Sequence, residues 1–510
     1  MCRLQNKIKS FVLIIILSTI ACCVFTTCRY DKGTPDYHCY PDAVGKIIHN
    51  KCATSGCHTN ASKGGAGNLS LETWNDLFAG GSGSACVIPY RHDFSTLCYY
   101  VNSYPDLGIA VSPTMPFNKP ALSHDEVATL EKWIDAGAPG CDGFVKFSDN
   151  PNRKKFYVAN QGCDVVTVFD EATMLPMRYI NIGNSPAIES PHDIQVSPDG
   201  KYWYVIFIGG TSIQKYRTSD DGFVGEAILN TYQFPFITGE WSTFAFNTDG
   251  SKAYITDWSN TTNCDIAEVD LNNLTVTHHL GFNGPHGSCV SPDGLYLYAS
   301  QQNNSSQIYK ILLSDFDNNI GSVNLYASAP PSTYLNSHQI VFAPTSLGNI
   351  YYVTCQGTSE VRVMQYIAGG NDTLIRVISV GANPSEMDVS SDKLFVTCEE
   401  DSLTFAGKMG SVYIIDMTTN QLYTSSPSIY TGHQPHGIAV DMDKNLVYVA
   451  NRNKTIGGPA PHHTSVCSGK DGYITIIDIG HSNYKLLQTT TGTDKRIEVS
   501  VDPYEIAIRR

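Results

Sequence analysis

Two textures divide this sequence, and together they predict a multidomain chain. A small all-α domain over residues 38–145 precedes an all-β seven-bladed propeller over residues 153–510. The first observation is a repeat. "SPHDIQVSPDGKYWYVIF" (190–207) returns as "EWSTFAFNTDGSKAYITD" (240–257) and as "GPHGSCVSPDGLYLYASQ" (284–301), with further copies at 336–355, 383–398 and 434–451. Most copies follow at the roughly 40–50 residues expected of a propeller blade. The second observation is a split copy. "DPYEIAIRR" (502–510) lacks its second strand, and "RKKFYVANQGCDVVTVFD" (153–170) supplies it from the other end. Pairing those ends in one blade closes a ring and hides its sheet edges. The third is a change of period: before residue 150 the apolar residues recur at helical spacing.

Each helix can be justified locally. "DAVGKIIHNKC" puts Val44, Ile47 and Ile48 on one helix face, with a cysteine motif at its end. "SHDEVATLEKWIDAGAPG" opens with Ser123 and Glu126 in capping-box spacing. Val127, Leu130, Trp133 and Ile134 then recur on one face, and Gly137 supplies the stop. Between these helices "VSPTMPFNKP" forms a proline-clamped loop presenting Met115.

The start of the chain predicts export. Arg3, Lys7 and Lys9 precede an apolar run from Phe11 to Phe25, shorter than the about 20 residues of a spanning helix. An uncleaved anchor helix is the other reading. Small residues lead into Cys28, which looks like the lipidated cysteine of a bacterial lipoprotein signal, with Cys22 and Cys23 as rival positions. Residues 1–28 are then the signal and 29–37 a linker, which implies a lipid-anchored protein of the periplasm or outer-membrane surface of a Gram-negative bacterium. Composition agrees. The 510 residues carry a net charge of −14, which excludes a nucleic-acid backbone as partner. Sixteen cysteines in an exported chain predict disulfides, haem thioethers or both. Cys39 and Cys141 flank the first domain and are placed to tie its ends together.

Within "CATSGCH", Cys52, Cys57 and His58 carry the chemistry. The ordinary c-type haem signature is C-x-x-C-H, whereas here four residues separate the cysteines. A zinc knuckle would need four Cys or His ligands, and a Cys52–Cys57 disulfide is the other alternative. The order of helix, C…CH, Met in a proline-rich loop and terminal helix resembles the small class I cytochromes c. More narrowly, "LSLETWNDL", "CVIPYRHDFSTLCYYV", "TMPF" and "EKWIDAGAP" are similar to the cytochrome domains of planctomycete and Bacteroidetes envelope proteins. That resemblance covers almost all of residues 45–140. It implies one covalent haem c, with thioethers at Cys52 and Cys57 and with His58 and Met115 as the axial iron ligands. His92 and His124 are the next candidates should Met115 not bind.

The propeller repeats, with "VSPDG" turns and "VVTVFD"-type steps, resemble the YVTN family of β-propellers. One column of the repeat carries His192, Ser242, His286, His338, Ser385, His436 and Tyr504 at the start of each innermost strand. Four imidazoles around one channel mouth could hold copper or contact a second haem. The simpler reading is that each imidazole bonds a neighbouring loop. Elsewhere, His278 and His279 fall on successive strand positions that face opposite ways. His462, His463 and Cys467 lie in an insertion of the sixth blade that reads equally as a metal site or a disulfide-stabilised loop. No G-x-S-x-G elbow, Walker loop or H-E-x-x-H is present.

The leading functional expectation is a cell-envelope electron-transfer protein, with the propeller as docking or redox-partner domain. Its partner would be a redox protein or a small-molecule electron donor or acceptor. One alternative makes the propeller a metal- or haem-dependent oxidoreductase fed by the cytochrome. Another makes it a non-enzymatic surface propeller that binds a protein or glycan.

Overall fold

The computed structural model describes residues 36–229, 239–259, 264–455, 457–459, 467, 471–489 and 492–509. The expected signal with Cys22, Cys23 and Cys28, and the insertion histidines His462 and His463, lie outside the described residues. Among those described, no strand precedes Lys155, and no helix is long and apolar enough to cross a membrane.

The leading segment is helical: α1 (Asp42–Ile47), α2 (Trp74–Leu77), α3 (Thr96–Val101) and α4 (His124–Asp135). Helix α1 widens into a π-type turn over Ile48–Cys52 that carries the first cysteine of the motif. Val44, Ile47 and Ile48 are buried on its inner face. Helix α4 starts on the expected capping box, with Ser123 and Glu126 bonding each other's backbone. Gly137, with φ +100°, turns the chain off its end. Val127, Leu130, Trp133 and Ile134 are all buried. The Cys39–Cys141 disulfide joins the two ends of the segment.

From Lys155 the chain forms seven antiparallel sheets. Six are continuous in sequence, over 191–228, 241–282, 285–324, 337–379, 384–429 and 435–499. In the seventh, Pro503–Ile508 pairs with Lys155–Asn160, so that Ile508 lies opposite Phe156 and Ile506 opposite Val158. The ends of the domain therefore close one blade, as the split repeat predicts. A second disulfide, Cys163–Cys467, ties that blade to the sixth-blade insertion. Strands such as Lys155–Asn160 are buried along their whole length because neighbouring blades cover both faces.

The helical segment lies along the outer strand of the split blade, Leu175–Asn181. Phe94 stacks on Tyr179 with centroids 4.1 Å apart. Arg91 donates to the Tyr179 carbonyl at 3.0 Å and to Asn181 Oδ1 at 2.9 Å. Ala85, Ile88, Phe94, Cys163, Val165 and Tyr179 share one apolar cluster, so the two parts are packed together rather than tethered.

Candidate functional site

Two constellations stand out, one in each part of the chain. In the helical part, Cys52 is buried and Cys57 half-buried, and the two thiols are not joined to each other. Burial, and then Cys57, pushes the Cys52 thiol up to about 12. A thioether carries no charge and suits that environment. His58 is oriented by the segment after the motif. Its Nδ1 donates to the Leu69 carbonyl at 3.2 Å, and its own carbonyl accepts from Leu71 N–H at 2.9 Å. Because a carbonyl can only accept, the tautomer is set and the lone pair lies on Nε2. This is the outer-shell contact that orients metal-bound imidazoles generally.

The methionine loop faces the same motif. Met115 N–H donates to the Tyr100 carbonyl at 2.6 Å, which holds the loop against α3. Met115 packs on the helical core without being fully buried. Four residues on, Lys119 Nζ donates to Thr54 Oγ1 at 3.0 Å, inside the cysteine motif. Tertiary structure thus brings Cys52, Cys57, His58 and the Met115 loop to one place. It occupies the alternatives: His92 Nδ1 lies 2.8 Å from Asp135 and His124 Nε2 lies 2.8 Å from Asp106.

The second constellation is the mouth of the propeller channel. The seven innermost strands contact one another in sequence around the axis. In all seven the pairing register slips at or beside the second residue. Such bulges re-aim a side chain away from the ladder, here toward the axis. Hydroxyls of the preceding blade then clamp the carbonyls of this column. Ser300 donates to His338 O at 2.7 Å, Thr354 to Ser385 O at 3.0 Å and Thr397 to His436 O at 2.8 Å.

The result is a closed ring of five aromatic side chains. Centroid distances run His192–His286 5.9 Å, His286–His338 4.2 Å, His338–His436 5.9 Å, His436–Tyr504 3.7 Å and Tyr504–His192 4.2 Å. Blade order alone leaves two clusters or one wide ring, because Ser242 separates His192 from His286, Ser385 separates His338 from His436 and Tyr504 separates His436 from His192. One ring forms, because the small Ser242 and Ser385 side chains let the imidazoles on either side approach to 5.9 Å. Tyr504 fills the remaining place.

The four imidazoles are not equivalent. Arg452 Nη2 donates to Gln161 Oε1 at 2.9 Å, which turns the Gln161 amide to donate to His192 Nδ1 at 2.7 Å. His192 therefore has its lone pair engaged. His436 donates from Nδ1 to the Tyr504 carbonyl at 3.1 Å and keeps its lone pair on Nε2. The Nδ1 atoms of His286 and His338 are buried with no hydrogen-bond partner. Burial depresses all four, His286 to about 4 and the others well below the usual imidazole value, so they are neutral at physiological pH.

Just inside the ring lie three acids that sequence reading did not single out: Asp193, Glu386 and Glu505. They occupy the column after the histidines and line a cavity of about 510 Å³. Burial pushes Asp193 up to about 7. Glu386 and Glu505 are raised by burial and by the neighbouring acids. The signal was present as one more position of the repeat. It was missed because Asp, Thr, Gly, Gln and Glu share no obvious chemistry there. Of the remaining histidines, His278 pairs with Glu268 at 3.1 Å and His279 with Asp265.

No family model and no curated protein matches this chain. Among solved structures, it is similar to the periplasmic gluconolactonase PpgL of Pseudomonas aeruginosa, with 14% identity over 70% of this chain and 98% of that one, at a TM-score of 0.52. It is also similar to a putative 6-phosphogluconolactonase of Bacteroides fragilis, with 13% identity over 72% and 99% and a TM-score of 0.50. At this identity the likeness is one of fold, that of a β-propeller.

Proposed function

We propose that the protein is an exported, lipid-anchored electron-transfer protein. Its helical domain holds one covalent haem c, and its propeller serves as the docking or redox-partner domain. The observation that carries this reading is the orientation of His58. Its Nδ1 is committed to the Leu69 carbonyl, its Nε2 lone pair is left for iron, and the Met115 loop is pinned to the same motif through Lys119 and Thr54. Haem bound there would supply one-electron exchange, with His58 and Met115 as the side chains that would hold its iron. Cys52 and Cys57 would anchor the group, and His58 would orient it. Trp74, Leu77, Val127, Leu130 and Trp133 supply the apolar core that keeps water away. The Cys39–Cys141 and Cys163–Cys467 links support an oxidising compartment, since structural disulfides are rare in the cytosol.

The test is export in a host with cytochrome maturation. The purified chain is expected to keep haem absorbance through denaturing electrophoresis and to lose it in Cys52→Ala/Cys57→Ala. Met115→Ala is expected to abolish the sulfur-to-iron charge-transfer band and lower the reduction potential. A colourless product, or zinc held by Cys52 and Cys57, overturns the reading, and an unchanged Met115→Ala spectrum overturns the assignment of Met115.

A further inference from the structure

The ring and the acids beneath it contain one set of residues with the chemistry and spacing of a metal centre. We infer that His338, Glu386 and His436 form a binding site for one divalent first-row transition ion at the mouth of the propeller channel. This inference stands on the propeller alone and does not depend on the haem reading.

The three residues come from three successive blades. His338 and His436 are the second residues of Ser337–Phe342 and Pro435–Asp441, and Glu386 is the third residue of Pro384–Val389 between them. One ligand atom from each lies within 4.8 Å of the others. Atoms bound to a common zinc ion at about 2.0–2.2 Å sit roughly 3–3.5 Å apart. His338 Nδ1 already lies 3.6 Å from Glu386 Oε1, which is too long for a hydrogen bond and close to the spacing two ligands of one ion adopt. Side-chain adjustments of about 1 Å would complete the set.

Two further observations point to a ligand. His338 Nδ1 is buried without a hydrogen-bond partner, a costly arrangement that an ion would repair. His436 has its Nδ1 committed to the Tyr504 carbonyl, so the lone pair on Nε2 is oriented as in metal-bound histidines. The other two ring histidines lie outside this set, although His286 Nδ1 is likewise buried without a partner. His192 has its lone pair occupied by Gln161, and His286 stands beside His338 as a neighbour able to join a wider coordination sphere.

Two imidazoles and one carboxylate are the donor set of catalytic zinc and of non-haem ferrous sites, not of structural zinc, which takes four protein ligands. Open coordination positions follow from that count. Glu386 lines the 510 Å³ cavity together with Asp193, Gln339 and Glu505, so a small polar molecule in the cavity would reach the ion's side of the ring.

The experiment uses the full-length chain, stripped with chelator and titrated with Co²⁺, whose visible d–d bands report coordination. One equivalent displaceable by Zn²⁺ is expected from this site. Any second equivalent at Cys52 and Cys57 is recognised by thiolate charge-transfer bands and by its loss in Cys52→Ala/Cys57→Ala. Glu386→Gln and His436→Gln should each weaken the propeller equivalent by more than the roughly 10–100-fold that outer-shell losses cost. The exposed His481→Ala should leave it unchanged. Where a variant does not fold, wild-type protein decides: Zn²⁺ should raise its unfolding temperature in a concentration-dependent manner. The inference is overturned if folded wild type takes up no Co²⁺ outside the cysteine motif. It is overturned equally if that equivalent survives Glu386→Gln and His436→Gln, or if saturating Zn²⁺ leaves the unfolding temperature unchanged.

Discussion

Cutting the Cys39–Cys141 link should loosen the helical domain by a calculable amount. The disulfide closes a sequence separation of 102 residues. In the chain-entropy model a loop of about that length constrains the unfolded ensemble by about 4.7 kcal/mol at 25 °C. A small domain has roughly 5–15 kcal/mol in all, so Cys39→Ser/Cys141→Ser removes a large share of it. Reporters are built in. Trp74 Nε1 donates to the Ala138 carbonyl and Trp133 Nε1 to the Pro139 carbonyl, both at 2.9 Å. Those carbonyls sit two or three residues before Cys141, whose own N–H donates to the Cys39 carbonyl at 2.8 Å. With a urea dependence of roughly 2 kcal/mol per M, the tryptophan-emission midpoint should fall by about 2 M. The far-ultraviolet transition of the propeller should move much less. A fall below about 0.5 M would show that core packing, and not loop closure, holds the domain.

Three other outcomes are expected. Deleting residues 503–509 strips the partner from Lys155–Asn160 and reopens the ring, so calorimetry should find a steep drop in the propeller's unfolding temperature, and an intact value rejects closure by this strand. Lys310→Met removes the cation that Asp372 meets at 2.8 Å in a buried setting and leaves that carboxylate only its neutral donors, the Tyr298 and Tyr351 hydroxyls and Ile367 N–H. The expected cost is about 3–5 kcal/mol in denaturant unfolding, and Lys310→Met/Asp372→Asn should lose less than the sum of its parts, whereas strict additivity would contradict the coupling. Asp257 is buried, and burial raises its pKa above the usual carboxylate value despite bonds from Glu240 and Ser259 N–H. The folded state therefore binds more protons than the unfolded chain above about pH 4, and this group's contribution falls as pH rises through that window. Asp257→Asn should flatten that decline, and parallel unfolding-temperature curves for the two proteins from pH 4 to 7 would refute it.

Much of the architecture was legible because it is periodic. The repeat, the half-copy "DPYEIAIRR" and the texture change near residue 150 each translate into pairing: strands recur, the ends must meet, and helices precede sheets. Local rules carried Ser123, Glu126 and Gly137 because capping depends on residues a few positions apart. The column of His192, His286, His338 and His436 was readable as a column. Its geometry was not, since blade order alone separates His338 from His436 by the Ser385 blade.

By itself, the sequence determined the number of blades, the identity of the strands that close the ring, the helical character of the leading segment and the residue types offered at each site. These depend on period and near-neighbour spacing, which a linear string contains. Tertiary structure alone decided which offered groups meet. It set Nδ1 of His58 against Leu69, turned Gln161 so that it donates to the lone pair of His192, and inserted Glu386 between two imidazoles from flanking blades. The physical reason is that a bulge aims each ring side chain, and for His286, His338 and His436 a hydroxyl of the preceding blade clamps the carbonyl as well. Those contacts join residues tens of positions apart, as with Thr397 and the His436 carbonyl, and so leave no local trace in either segment.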